Sequence, residues 1–254
     1  MKKDTVYFIS DAHFGINIQG EESREERFAK FIEENISSMS SLFIVGDLFD
    51  FWIEYKNAIR PDYFNVLCTL KQVTDKNIPV YYLAGNHDFA LGSFLKDYIG
   101  ISIHYGHYET VIQNKKVHLF HGDGLIKSDY GYRILRKILR NPINQYLYKL
   151  LHPDIGVGFA SRCSGQSRKY RQFPEKNARE YRIHAKEYIE AGNDIVIFGH
   201  THRAEICNIG NGIYCNTGSW LIHYNYASMK NGELSLWSYN AGSSPEKYQQ
   251  SSWK

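Results

Sequence analysis

Five short segments of this 254-residue chain carry side chains that could do chemistry together. They are Asp11-Ala12-His13, Gly46-Asp47, Gly85-Asn86-His87-Asp88, His121-Gly122-Asp123 and Gly199-His200-Thr201-His202. Carboxylates, amide oxygens and imidazoles are the ligands that hard or borderline divalent cations take, and no thiolate is among them. Each segment alone has a plainer explanation: a Gly-Asp after a strand is commonly a turn, and Asp-x-His commonly a loop. All five together, each after an apolar run, point to a two-metal site. Two ions about 3.5–4 Å apart can clamp the attacking and leaving oxygens of a phosphoryl displacement. Such a pair needs a bridging carboxylate. Asp47, just past the run Leu42-Phe43-Ile44-Val45, is the organising candidate.

These segments need elements that hold them at one edge. Residues 5–10 read as a buried strand ending at Asp11, 41–45 as a second ending at Gly46, and 79–84 as a third ending at Gly85. Helical periodicity covers 22–38, with Phe28, Phe31, Ile32 and Ile36 on one face. It also covers 62–76, with Phe64, Leu67 and Leu70 expected inward. Strand, helix and strand in alternation give βαβ units, and the carboxyl edge of such a sheet is where open α/β folds place chemistry. A hairpin at 108–112 and 117–120 leads to His121, a helix is expected at 175–191, and a strand at 195–199 leads to His200. Short strands follow at 204–208, 213–216, 220–226 and 233–239, parted by Asn211-Gly212 and Asn231-Gly232. Residues 241–254 are Ser/Gln-rich and expected to be a flexible tail. No repeat or linker interrupts the chain, so a single domain over 1–240 with an insertion at about 125–190 is expected.

A 43% hydrophobic content suffices for one large core. The aromatic share of 15%, including 20 Tyr, is high; core and hairpin filling account for most of it, and a partly apolar ligand would suit the rest. Cys68, Cys163, Cys207 and Cys215 have no metal-type spacing and nothing demands a bridge, as in a reducing compartment. No run approaches about 18 apolar residues, so no membrane span is expected. The apolar run at 5–10 is too short for a signal peptide. A cytoplasmic location follows as the expectation.

The formal charge of +3 hides an asymmetry: residues 125–190 hold 14 Lys/Arg against 6 Asp/Glu, so their partner should be anionic. Two amphipathic helices are expected there, at 129–140 and 143–151, with Pro142 between them and Asn141 capping the second. Ile134, Leu135, Ile138 and Leu139 form one stripe, flanked by Arg133, Arg136, Lys137 and Arg140. Ile143, Leu147, Leu150 and Leu151 form another. Such helices suit an anionic lipid surface, with packing against the rest of the fold as the alternative. No helix-turn-helix, zinc-finger or RNP-like pattern supports a nucleic-acid partner. His104, His107, His118, His152, His184 and His223 fit no ligand segment and read as surface or core residues.

The five segments, in this order, resemble those of the calcineurin-like metallophosphoesterases, over about residues 5–225. That resemblance implies an α/β fold, a four-layer αββα sandwich, here with a helical lid inserted at about 125–190. It implies that Asp11, His13 and His202 hold one divalent ion, that Asn86, His121 and His200 hold a second, and that Asp47 bridges them. His87 would stand beside the scissile phosphate as acid or charge stabiliser, with Asp88 orienting it. A narrower likeness exists. Gly46-Asp47-Leu48-Phe49-Asp50-Phe51-Trp52 is similar to the Gly-Asp-Leu-Phe-acidic-x-Trp signature of the UDP-2,3-diacylglucosamine pyrophosphatases of lipid A synthesis. This likeness implies Mn2+, attack at the α-phosphorus, and release of UMP and the acylated sugar phosphate. It also implies a lid over the acyl chains and peripheral contact with the cytoplasmic face of the inner membrane. Asn86, His87 and the cluster Arg168, Lys169 and Arg171 would grip the substrate's phosphates. The best-known members carry Arg where this chain has His87, which matches the broader family. Another nucleotide or a phosphoprotein substrate is therefore the alternative, and an inactive binding module a further one, against which the complete ligand set argues.

Overall fold

Strand β1 (Thr5–Ile9) is buried along its whole length. Successive side chains of a strand face opposite ways, so Tyr7 and Ile9 join one apolar cluster while Val6 and Phe8 join another. A strand covered on both faces must be apolar throughout, which is why it reads as a run rather than an alternation. In the computed structural model, residues 3–16, 24–55, 57–126, 130–152, 155, 156, 158 and 175–253 are described. β2 (Met39–Val45) pairs in parallel with β1, β3 (Val80–Leu83) with β2, and β4 (Ser102–His104) with β3. On the other side of β1 lie β10 (Asn225–Lys230), β11 (Glu233–Ser238) and β12 (Glu246–Lys247), all antiparallel. A second sheet contains β5 (Tyr108–Ile112), β6 (Lys115–Phe120), β7 (Ile195–Phe198), β8 (Ala204–Ile209), β9 (Gly212–Thr217) and β13 (Ser251–Trp253). Its order is β13-β8-β9-β7-β6-β5.

Helices α1 (Arg24–Asn35) and α2 (Phe64–Asp75) cover the outer face of the first sheet. Phe28, Phe31 and Ile32 of α1 recur at helical spacing, and they pack with Val66, Leu70 and Val73 of α2 on Tyr7, Ile9, Ile44 and Tyr82. Between the sheets, Phe8, Phe43, Val45 and Leu83 meet Val117, Leu119 and Ile197. Helix α5 (Glu175–Glu190) covers the outer face of the second sheet through Tyr181 and Ala185. The result is the expected αββα sandwich. α3 (Tyr130–Leu139) and α4 (Pro142–Lys149) lie between β6 and α5 in the chain. Asn141 caps α4 as expected, its side-chain oxygen accepting from the Ile143 N–H at 2.9 Å. Cys207 and Cys215 are free and sit in different clusters, one outside the second sheet and one between the sheets.

The parallel strands end level with one another. Ile9 pairs with Ile44 and Val45 with Leu83. In the second sheet Phe120 pairs with Phe198 and Phe198 with Asn216. Loops leaving β1, β2, β3, β6, β7 and β9 therefore start from one edge of the sandwich.

Several expectations need correction. Phe64 is 65% exposed. The inward face runs through Tyr63, Val66, Leu67, Leu70 and Val73, and Phe64 is one position off that spacing. Residues 220–224 are not strand: the Trp220 and Leu221 N–H groups donate to Ser10 O (3.2 Å) and Asp11 O (3.1 Å), fastening this loop to the ligand edge. The segment 241–254 is not a free tail either, because β12 extends the first sheet and β13 pairs with β8 in the second. β4 was not legible at all, being three residues long with a polar start.

Candidate active site

Among the described residues, ten non-glycine residues have positive φ, and Asp11, His13, Asp47, His200 and His202 are five of them. Such conformations cost about 1–3 kcal/mol each and persist where the surroundings over-determine them. Here the loops do so. The Asp11 N–H donates to Gly46 O (3.1 Å), those of Ala12 and His13 to Asp47 O (both 3.0 Å), and that of Phe14 to Leu48 O (2.9 Å). The buried Arg24 donates to Ala12 O at 3.0 Å, and the Gly199 N–H to His121 O at 3.0 Å. Gly85 is required by close approach: a Cβ there would lie 2.6 Å from the Asp47 nitrogen. Gly46, at φ 85°, would strike the His121 ring.

This edge brings the expected ligands together. Ligand atoms of Asp11, His13 and His202 lie within 4.8 Å of one another, as do those of Asp47, His121 and His200. Asp47 Oδ2 lies between the halves, 3.3 Å from His121 Nε2 and 3.9 Å from His13 Nε2. Asn86 Oδ1 is 3.0 Å from His121 Nε2, and Asp11 Oδ1 is 3.4 Å from His202 Nε2. The buried Asp11 Oδ1 and both ring nitrogens of the buried His13 make no hydrogen bond. Leaving a buried polar group unpaired costs about 1–3 kcal/mol, and a cation among these atoms removes that cost. The donor set therefore fits divalent ions.

Neighbouring groups fix which imidazole nitrogen is left for a cation. His121 Nδ1 is 2.8 Å from Val45 O, which can only accept, so Nδ1 carries a proton and Nε2 faces Asp47 and Asn86. The Ser219 hydroxyl donates to Asp11 O, so it accepts from His202 Nδ1 at 3.1 Å and leaves Nε2 toward Asp11. Burial, and after it the His87 charge, pushes His13 well below its ordinary value; burial and then His121 lower His200 to about 3. Both stay neutral, the form that ligates. Burial alone would raise Asp47, but His121 and then His87 outweigh it and hold the carboxyl well below the usual range. Burial lowers His121, yet Asp47 overrides this and lifts it to about 10, so a cation binding there displaces a proton. Burial raises Asp11, a cost that a cation offsets.

The structure divides His87 and Asp88 differently from the expectation. His87 is half-buried at the opening, its ring edge-on to His13 at 4.7 Å between centroids. Its Nδ1 is 2.8 Å from Asp50 O, so Asp50 rather than Asp88 orients it. Asp88 is fully buried behind the loops, where Oδ1 accepts from Gly85 N–H (2.7 Å) and Oδ2 from Leu48 N–H (2.8 Å) and the Tyr82 hydroxyl. Its carboxylate is committed to bracing the two loops. The signature side chains Leu48, Phe49 and Trp52 are core, with Phe49 4.5 Å from Tyr63 and 4.7 Å from Trp52 between ring centroids. They shape the Asp47 loop. Phe51, half-buried, reaches Tyr148 of α4.

Arg168, Lys169 and Arg171 lie outside the described residues, as do the side chains of Arg133, Leu135 and Arg136 and the whole of Cys163. None of His104, His107, His118, His152, His184 and His223 enters a candidate ligand group. Sequence reasoning gave no part in the site to Asp50, Ser219 or Arg24, named Asp123 within a ligand-type segment without assigning it a task, and read Arg140 only as a flank of the first amphipathic stripe. Ser219 had a signal, since Thr217-Gly218-Ser219 is one more small-residue turn after a strand; the buried Arg24 and the half-buried Arg140 had none for these contacts. Ile134, Ile138, Ile143, Leu147 and Leu150 are 52–68% exposed, so these stripes are not packed on the sandwich.

Comparison with known proteins agrees with the geometry. The family model described as Calcineurin-like phosphoesterase matches residues 5–204. A UDP-2,3-diacylglucosamine hydrolase of Porphyromonas gingivalis is 28% identical over 221 residues, which is 79% of this chain and 84% of that protein. One from Yersinia pestis bv. Antiqua is 28% identical over 209 residues, 81% of this chain and 85% of that protein. Among solved structures, Yfce, a phosphoesterase from E. coli, is 18% identical with a TM-score of 0.45 over 91% of each chain. Because the family match runs through all five ligand-bearing strand ends, the chain belongs to the calcineurin-like phosphoesterase family.

Proposed function

We propose that this protein hydrolyses the pyrophosphate of UDP-2,3-diacylglucosamine, releasing UMP and 2,3-diacylglucosamine 1-phosphate. For the chemistry, the supporting observation is the buried, unpaired Asp11 Oδ1 and His13 ring beside Asp47, His121 and His202. Asp11, His13 and His202 would hold one divalent ion, Asn86, His121 and His200 another, with Asp47 between them; Mn2+ is the expected metal. Such ions supply positive charge against phosphoryl oxygens. His87, with Nδ1 engaged by Asp50 O, has Nε2 left for the substrate. The leaving group of a pyrophosphate is already a weak base, so charge stabilisation by His87 suffices.

For the substrate, the names of the curated relatives support the reading, and so does the exposed apolar face of α3 and α4. An acyl chain is the natural cover for such a face. Exposed Lys137 and Lys149 on the same helices suit the substrate's phosphates or an anionic headgroup. No helix among the described residues is long and apolar enough to cross a membrane; peripheral contact with the inner membrane through α3 and α4 is part of the proposed function. Arg168, Lys169 and Arg171 remain candidates for the nucleotide phosphates. Purified protein incubated with UDP-2,3-diacylglucosamine and Mn2+ should release UMP. Cleavage of a generic phosphodiester without UMP would favour the second reading, a phosphoesterase for another nucleotide or phosphoprotein, which His87 supports.

A further inference from the structure

Arg140, directly after α3, reaches back to the ligand edge. Its Nη2 donates to Gly85 O and to Asp123 Oδ2, both at 3.0 Å. Gly85 precedes Asn86, and Asp123 lies two residues beyond His121. One guanidinium thus ties together the two loops that carry Asn86 and His121. The Asn86 oxygen sits 3.0 Å from His121 Nε2, so a shift of the Gly85 backbone would move that oxygen away from its partner. Asp123 is 1% exposed, and its charge acts on both His121 and His200. A buried carboxylate needs a cationic partner, and the rigid guanidinium plane fixes the directions in which Nη2 donates to the carboxylate and the carbonyl, whereas an ammonium on a flexible stem would hold both less firmly.

We propose that Arg140 is a positioning residue that couples the seating of α3 and α4 to the metal affinity of the Asn86–His121–His200 half of the site. The inference rests on the two-metal reading above. Coupling of this kind is reciprocal: if a seated Arg140 tightens cation binding, a bound cation tightens the seat by the same factor.

The test is calorimetric titration of metal-stripped protein with Mn2+. Wild type should show two binding steps. Arg140→Met should weaken one step by about 10-fold and leave the other unchanged, and Arg140→Lys should recover part of the loss. Limited proteolysis gives the reciprocal reading: Mn2+ should slow cleavage within 130–149 in wild type and do so less in Arg140→Met. If circular dichroism shows Arg140→Met unfolded, Asp123→Asn, which weakens the same contact, takes its place. Two unchanged steps with unchanged protection overturn the coupling and leave the two-metal reading standing. Fewer than two steps in wild type overturn the two-metal reading and the coupling with it.

Discussion

Asp88→Ala separates the role expected for this residue from the one its contacts describe. Asp88 accepts from Gly85 N–H at 2.7 Å, from Leu48 N–H at 2.8 Å, more weakly from Phe49 N–H at 3.5 Å, and from the Tyr82 hydroxyl, all in a site closed to solvent. Alanine leaves four buried donors unpaired. At about 1–3 kcal/mol each, and allowing some to relax toward water, the loss is about 4 kcal/mol. For a chain of this size that corresponds to a Tm lower by about 12 °C. Tyr82→Phe removes one donor from the same set and should cost only about 1 kcal/mol. Thermal and urea denaturation in EDTA, where bound metal contributes nothing, measure both. A Tm within about 2 °C of wild type, with a large fall in kcat alone, would refute the bracing role and restore Asp88 as the orienter of His87.

Four further outcomes follow from the geometry. Asp47→Ala should abolish turnover of any phosphoester while circular dichroism stays native, because both halves of the site lose their shared carboxylate; retained turnover would sink the two-metal reading. Stripping divalent ions with EDTA should abolish activity, and re-adding Mn2+ at 100 times its Kd should stabilise the fold by about 2.7 kcal/mol per ion, read by urea titration. Burial and the His121 charge hold His200 at about 3, so below its unfolded value of 6.5 the unfolded chain binds the proton that the native state refuses. Metal-free protein should then lose stability as pH falls from 7.5 to 5.5, by up to about 1.4 kcal/mol per pH unit more than His200→Asn does; equal slopes would contradict the assignment. Replacing Ile138, Ile143 and Leu147 together by Ser should raise KM for the diacylated sugar nucleotide and spare a small chromogenic phosphodiester, since these side chains are exposed.

Much of the fold was legible because its strands are buried on both faces and its helices on one. Such elements impose an apolar run or a three-to-four spacing that a sequence displays directly, as 5–10 and 22–38 did. The misreadings came where that local signal fails. Trp220 and Leu221 are buried like strand residues, yet their N–H groups serve the loop carbonyls of Ser10 and Asp11. The Ser/Gln-rich segment 241–254 has no apolar pattern, yet it supplies edge strands through backbone bonds that need no particular side chain. Phe64 is as apolar as its neighbours, and only the helix's rotation against the sheet turned it outward.

The sequence by itself determined the ligand types, their order and their attachment to strand ends, because the metal's preference for carboxylate, amide and imidazole is local chemistry. Asp47 was identifiable from the sequence as a carboxylate after a buried strand, and its place as the bridge came from the family resemblance. Its reach to His13 and His121, the hold of Asp50 on His87, the support of His202 by Ser219 and the return of Arg140 to Gly85 and Asp123 were decided by tertiary structure alone. These are contacts across 17 to 74 residues of chain, or between loops of different sheets. Sheet register and loop path set them, and neither is encoded in any one stretch of residues.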